Sequence, residues 1–195
     1  MHGLINRSIE CFVRDIYGLD QWQQIAAASE IGFDSFEPLL VYEDELTARV
    51  LDAAALNLGK PVEIILEDLG TYLVSHPNVQ SLSRLLRFGG ETFTDFLHSL
   101  ADIQDRARMA VPELEMPMLS LRSHIYGNFT LYCSDGYPGI GHVLVGMLRA
   151  MADEYGALVL LEHLGGRSEV EAISVQVMET RFSEGSIFKL GRADA

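Results

Sequence analysis

The hydrophobic period changes between the two halves of this chain, and that change limits what it can fold into. In the first half apolar residues recur at helical spacing; from Met118 they come in short runs broken by glycines. Leu4 to Tyr17 is amphipathic, with Leu4, Ile5, Ile9, Phe12, Val13 and Ile16 on one side and Gly18 as its stop. Further helices are predicted over Asp20 to Ser29 and over Asp44 to Leu58, with Asp44 as N-cap and Gly59 as stop. Others run from Pro61 to Ser75, from Val79 to Phe88 and from Phe93 to Met109. His76-Pro77-Asn78 and Gly89-Gly90 separate them, and Pro112 and Pro117 close the helical half. Met118 to Tyr126 and Phe129 to Ser134 read as strands around Gly127-Asn128. An apolar helix over Gly139 to Tyr155 comes next, then strands over Ala157 to Leu164 and Glu169 to Glu179 around Gly165-Gly166-Arg167-Ser168. Many helices, then hairpin, helix, hairpin is an α+β order with an antiparallel sheet. The expectation is a single domain over 1–180: a helical lobe of about 1–62 packed on an α/β lobe of about 63–180 with a four-stranded antiparallel sheet, then a tail over 181–195.

Composition narrows the partners. A chain of 195 residues, 48% hydrophobic and 22% charged, is long enough to bury a core. Its formal net charge of −14 repels phosphate backbones and anionic membranes, so neither nucleic acid nor membrane is an expected partner. Cys11 and Cys133 lie far apart, which argues against a disulfide framework. The opening residues lack the pattern of a secretory leader, and the apolar run Ala157 to Leu161 is too short to span a bilayer. A soluble cytoplasmic protein is expected.

One residue breaks the helical pattern. The stripe Phe93, Leu97, Leu100 leads to Gln104, placing an amide where an apolar side chain belongs. A buried amide without partners costs on the order of 1–3 kcal/mol. Gln104 therefore either bonds to neighbouring groups or faces a cavity with something in it.

Several strings in order resemble the haem nitric-oxide/oxygen-binding family, which includes the sensor domain of soluble guanylate cyclase and bacterial gas sensors. Met1-His2-Gly3-Leu4-Ile5-Asn6 is similar to its start, and Phe96-Leu97-His98-Ser99-Leu100-Ala101-Asp102-Ile103-Gln104 to its ligand helix. Pro112-Glu113-Leu114 and Pro117 resemble the family's segment after that helix. Tyr132-Cys133-Ser134 resembles the start of its Y-x-S-x-R haem-carboxylate motif, and Gly146-Met147-Leu148 the helix after that motif. The resemblance covers roughly Met1 to Glu179 and implies a haem pocket lined by Ile5, Ile9, Leu73, Leu97, Leu100, Gln104, Val143 and Met147, with Tyr132, Ser134 and the residue at 136 at the haem carboxylates.

Two departures carry more weight than the matches. Gln104 stands where the family carries its iron-binding histidine, and Gly136, or Tyr137 with one inserted residue, stands at the motif's arginine. Haem iron is held by imidazole, thiolate, thioether or phenolate, and propionates suit a bidentate guanidinium. Haem ligation is therefore expected to be absent or altered. The remaining histidines offer no replacement. His98 lies about 9 Å along and about 120° round the helix from Gln104. His76, where the fourth helix ends, has a distal-ligand reading and a plainer one as a loop histidine, and the plainer one is preferred. His124, His142 and His163 read as structural or exposed, and no metal spacing occurs among them. No catalytic constellation is evident either.

The expectation is a non-enzymatic sensor or regulatory domain, acting on a signalling protein such as a histidine kinase or a cyclic-dinucleotide enzyme. Its pocket takes haem in an unusual way or another small apolar ligand. The alternative is a haem-free interaction module with a collapsed pocket. A cavity of a few hundred cubic ångströms beside Gln104 favours the first.

Overall fold

The computed structural model describes residues 1–79, 90–110, 116–134, 136–167, 170–179 and 182. Helices α1 (Gly3–Tyr17), α2 (Leu19–Ala28), α3 (Asp44–Leu58) and α4 (Val62–Ser75) come first. A 3-10 turn, Pro77–Val79, succeeds α4. Helix α5 (Phe93–Ser99), a 3-10 segment over Leu100–Asp102 and helix α6 (Ile103–Ala110) lead into strands β1 (Met118–Ser123) and β2 (Asn128–Ser134). Helix α7 (Ile140–Tyr155) precedes strands β3 (Leu158–Arg167) and β4 (Val170–Glu179). The helix expected over Val79 to Phe88 lies outside the described residues, apart from Val79 in the 3-10 turn.

The sheet has the order β1-β2-β4-β3, antiparallel throughout. Its inner face carries Leu131 and Cys133 of β2 with Ile173 and Val175 of β4, all buried. Phe93, Leu97, Leu100, Val145, Leu148 and Met151 pack on that face and complete one core cluster. A second cluster lies among α1 to α4, around Phe12, Trp22, Phe36, Val50, Ile65 and Leu69, and takes Val143 from α7. Helices α4 and α7 therefore carry the boundary between the clusters. They meet backbone to backbone: a Cβ on Gly70 would overlap Val143 O, and one on Gly146 would overlap Glu67 O. The buried Glu10 holds α1 to a loop beyond α2 by accepting from Phe36 N at 2.9 Å, and it also accepts from the guanidinium groups of Arg7 and Arg14 at 2.6 and 2.8 Å.

The structure corrects three local expectations. The N-cap of α3 is Glu43, and Asp44 lies in the first turn. The first hairpin turns on Tyr126 and Gly127, whose φ values are 58° and 71°, rather than on Gly127-Asn128. A pair of consecutive positive φ angles matches the twist of the flanking strands, and Asn128 instead opens β2 by donating from Nδ2 to Ile125 O at 2.9 Å. β3 runs on through Gly165 and Gly166 to Arg167, with an irregular register between His163 and Gly166, so those glycines form a bulge rather than the turn.

The helix expected over Phe93 to Met109 is broken by its 3-10 segment. Ile103 N donates to Leu100 O, while Ser99 O is taken by the Arg106 guanidinium at 3.0 Å. Three residues at about 120° each instead of 100° add roughly 60° of rotation. The buried stripe therefore continues through Ile103 and Ala107, and Gln104 turns to a half-buried flank.

Candidate functional site

A cavity of about 370 Å³ opens at the edge of the helical cluster, where α1, α3 and α4 meet the start of α7. Its apolar wall is made by Ile5 and Ile9 of α1, Leu51 of α3, Leu66 and Leu69 of α4, and Ile140 and Val143 of α7. Pro117 and the segment Gly136 to Gly139 close one side. The polar groups come from the Met1 ammonium, His2, Asp44, Thr47 and Tyr137, and among the described residues neither lysine nor arginine lines it.

Each polar group has a definite state. His2 caps α1, its Nδ1 accepting from Leu4 N at 3.2 Å, and only 8% of the residue is exposed. The Thr47 hydroxyl donates to Asn6 Oδ1 at 2.7 Å inside the core, while the buried Asn6 Nδ2 has no partner among the described residues. Asp44 Oδ1 accepts from the Met1 ammonium at 2.6 Å, and the same ammonium donates to Tyr42 O. Burial raises the pKa of the Tyr137 phenol, and the nearby charges of Asp44, Asp52 and Glu45 raise it further, so the group stays protonated.

Of the residues expected to line a pocket, the structure brings Ile5, Ile9, Gly136 and Val143 to this one. Leu97 and Leu100 are buried in the sheet-side cluster, Leu73 packs on the helical cluster, and Met147 touches both clusters. Tyr132 and Ser134 pair with Ala172 and Val170 on the strand positions alternating with buried Leu131 and Cys133, so they face the outer side of the sheet. Their two-residue spacing puts them on one face, but not the face that meets the helices. His76 stacks on Tyr72 with ring centres 4.7 Å apart, beside Asp15 Oδ2 at 3.7 Å, and does not line the cavity. Gln104 Nε2 donates to Met116 O at 3.2 Å, so the amide is satisfied by neighbouring backbone and is not among the lining residues.

Two groups escaped the sequence reading. Among the described residues His2 is the only histidine lining this cavity, and its one sequence signal is its place just before an amphipathic helix that begins at Gly3. The other is a cluster beside a second, open pocket of about 530 Å³. The rings of His142 and His163 lie 4.1 Å apart. His163 Nε2 is 2.8 Å from Glu171 Oε2, and His142 Nδ1 is 3.4 Å from Glu67 Oε1. Glu171 also accepts from Gly139 N and Gly141 N at 2.8 and 3.0 Å, satisfying amides at the start of α7 that have no helical partner. Among the described residues no set of three or more His, Cys, Asp and Glu side chains has the geometry to hold a metal ion.

This arrangement, a helical lobe and an α/β lobe enclosing an apolar cavity between α1, α4 and α7, has close relatives in structure. The family described as Haem-NO-binding matches residues 2–163. The chain belongs to the Haem-NO-binding family. Among solved structures, the Fe(II) unliganded H-NOX protein from K. algicida superimposes with a TM-score of 0.78 at 16% identity, covering 92% of this chain and 98% of that one. An H-NOX protein from S. oneidensis gives 0.78 at 14% identity, with 93% and 98% covered. Soluble guanylate cyclase 89Db of Drosophila melanogaster is 22% identical over 158 residues, which is 81% of this chain and 24% of the relative. Soluble guanylate cyclase gcy-31 of Caenorhabditis elegans is 24% identical over 154 residues, 79% of this chain and 22% of the relative. The chain thus spans about a quarter of the length of these curated relatives. The resemblance read from the sequence holds, as does the α+β class with its four-stranded antiparallel sheet. No helix among the described residues is long and apolar enough to cross a membrane.

Haem-NO-binding domains are sensor domains of gas-sensing haem proteins, so the cavity must be tested against haem. The residues present do not fit it in the family's manner. Gln104 is committed to Met116 O, no lysine or arginine among the described residues lines the cavity, and the Met1 ammonium that does line it is already taken by Asp44.

Proposed function

We propose that this chain is a non-enzymatic sensor or regulatory domain of the Haem-NO-binding family in which haem ligation through the family's histidine position is absent. The cavity between α1, α4 and α7 then takes another small apolar ligand. The observation that carries this reading is the pairing of an open apolar cavity with a Gln104 amide already satisfied outside it. A volume of about 370 Å³ lies in the range of small-molecule sites and supports a ligand-binding reading, although Gln104 is not among the lining residues. Gln104 bonding to neighbouring backbone, away from the cavity, is what the alternative of a haem-free interaction module expected, and it supports that second reading.

The lobes divide as helical residues of about 1–62 and α/β residues of about 63–180. Ligand occupancy is read out through their relative packing by a signalling partner, such as a histidine kinase or a cyclic-dinucleotide enzyme. The names of the curated relatives support an output in cyclic-nucleotide signalling.

The test is the visible spectrum of the full chain purified from haem-supplemented cells. Less than about a tenth of a haem per chain is expected. A Soret band at one haem per chain refutes the reading; if that band disappears in His2→Phe, the haem is anchored on His2.

A further inference from the structure

The polar end of the cavity selects its ligand by charge and by hydrogen-bond type. This inference rests on the reading of the cavity as a haem-free ligand site. Because His2 Nδ1 accepts from Leu4 N, the neutral ring carries its proton on Nε2. No described residue takes that Nε2, although His2 is more than nine-tenths buried and lines the cavity. A donor on so enclosed a side chain, with the cavity beside it, gains more from a ligand oxygen than it would at an exposed site. The Thr47 hydroxyl spends its proton on Asn6, leaving only lone pairs for the cavity. The Met1 ammonium holds the lining carboxylate of Asp44, Tyr137 adds a protonated phenol, and the other lining side chains are apolar.

The geometry points to an uncharged, largely apolar ligand with a carbonyl or hydroxyl oxygen, seated among Ile5, Ile9, Leu66, Leu69 and Val143 with that oxygen on His2 Nε2–H. Among the described lining residues an anionic ligand finds one cation, the Met1 ammonium, already bound to Asp44, and it brings its charge next to that carboxylate. A cationic amine gains nothing from the His2 donor, and the Asp44 carboxylate is already paired with Met1, so the described lining offers it the Thr47 and Tyr137 oxygens but no free counter-charge. Charge discrimination of this kind arises from what the site leaves unpaired as much as from what it binds.

Three probes of equal bulk separate the cases: methyl naphthyl ketone, naphthoate and naphthylmethylamine, titrated calorimetrically into the full chain after its visible spectrum has been recorded. The spectrum tests the haem-free reading, and the titrations test the ligand class. The ketone is expected to bind at one site per chain, with naphthoate and the amine each at least about tenfold weaker. His2→Phe keeps the bulk of the ring but removes the donor; it is expected to weaken the ketone roughly tenfold while the circular dichroism spectrum stays unchanged. Ile9→Trp fills the cavity and is expected to abolish ketone binding. Naphthoate or amine binding as tight as the ketone's overturns the inference, as does a folded His2→Phe that binds the ketone normally. Ketone binding that survives Ile9→Trp, or the absence of any ketone binding, overturns it too.

Discussion

Gly146→Ala tests whether α4 and α7 are locked together by backbone contact. Alanine in a helix interior ordinarily gains about 1 kcal/mol over glycine. At this position the new Cβ falls well inside contact with Glu67 O, and its next neighbours are Glu67 C and Thr71 N, all backbone atoms of α4. A side chain could rotate away; a helix backbone cannot. Restoring an ordinary C···O separation of about 3.3 Å moves the two helices apart by roughly 1 Å or more. Overpacking of this kind costs about 1–3 kcal/mol, and the rigid neighbours place it at or above the upper end. Thr71 Oγ1 also donates to Gly146 O at 3.3 Å, a bond the separation would lengthen. The steric cost of about 3 kcal/mol exceeds the propensity gain of about 1, leaving a net loss of about 2 kcal/mol. At about 2–4 °C per kcal/mol for a chain of this size, Tm should fall by roughly 4–8 °C in a thermal melt followed by circular dichroism. Gly70→Ala meets Val143 O in the same way and should behave alike. The double variant should lose less than the sum, because helices already separated accept the second Cβ more easily. A Tm that rises in Gly146→Ala, as it does for a solvent-facing helical glycine, refutes the close crossing.

The other predictions concern charge and the former ligand position. Glu10→Gln removes a fully buried carboxylate that two guanidinium groups and Phe36 N share; a loss of about 3 kcal/mol is expected, read as a lower urea midpoint, and a change under about 1 kcal/mol counts against its role. The Asp15 pKa is lowered chiefly by the Tyr72 hydroxyl that donates to it, with further help from Asn78, His76 and Arg14, while burial opposes the shift. A carboxyl with a depressed folded-state pKa stabilises fully above the unfolded value of about 3.9 and loses that contribution as pH falls through the folded value. The Tm gap between wild type and Asp15→Asn should therefore be present at about pH 6 and close below about pH 4; a gap that widens on acidification contradicts the pairing. Gln104→His should not restore stoichiometric haem, since the side chain lies on the flank of α6 and the cavity still lacks a described lining guanidinium; a full Soret band in that variant is the opposing result.

Long periodic segments were legible because local spacing alone determines them. α1 and α3 end where glycine was expected to end them, at Gly18 and Gly59, and the alternation of β2 matches its buried and half-buried residues. What failed depended on groups distant in sequence or on small changes of phase. The Ile103 amide bonds to Leu100 O in the 3-10 manner, with the Arg106 guanidinium on Ser99 O, and the resulting rotation moves Gln104 off the buried stripe. The pair of His142 and His163 needs α7 and β3 to be docked before it exists, so single-residue reasoning finds two ordinary histidines. Tyr132 and Ser134 carry a recognisable string, but the string does not say which face of β2 meets the helices; only the register with β4 does. His2 could have been found by asking what caps a helix that begins at Gly3, because an imidazole used as a cap through one nitrogen has a second nitrogen to place.

The cavity and the helix crossing share their residues, which bears on how a ligand could act. Leu66 and Leu69 line the cavity from the helix that carries Gly70, and Ile140 and Val143 line it from the helix that carries Gly146. Val143 does both jobs at once: its side chain joins the helical cluster while its carbonyl sits against Gly70. A ligand shifts a conformational equilibrium only by its difference in affinity for the two states. An occupant touching both helices gains or loses contacts whenever they slide, whereas an occupant held by one helix alone would not. The glycine contacts make that sliding costly, because no side chain cushions it. The same two helices therefore set both the shape of the cavity and the packing of the lobes, so a change at one is registered at the other without any contribution from Gln104.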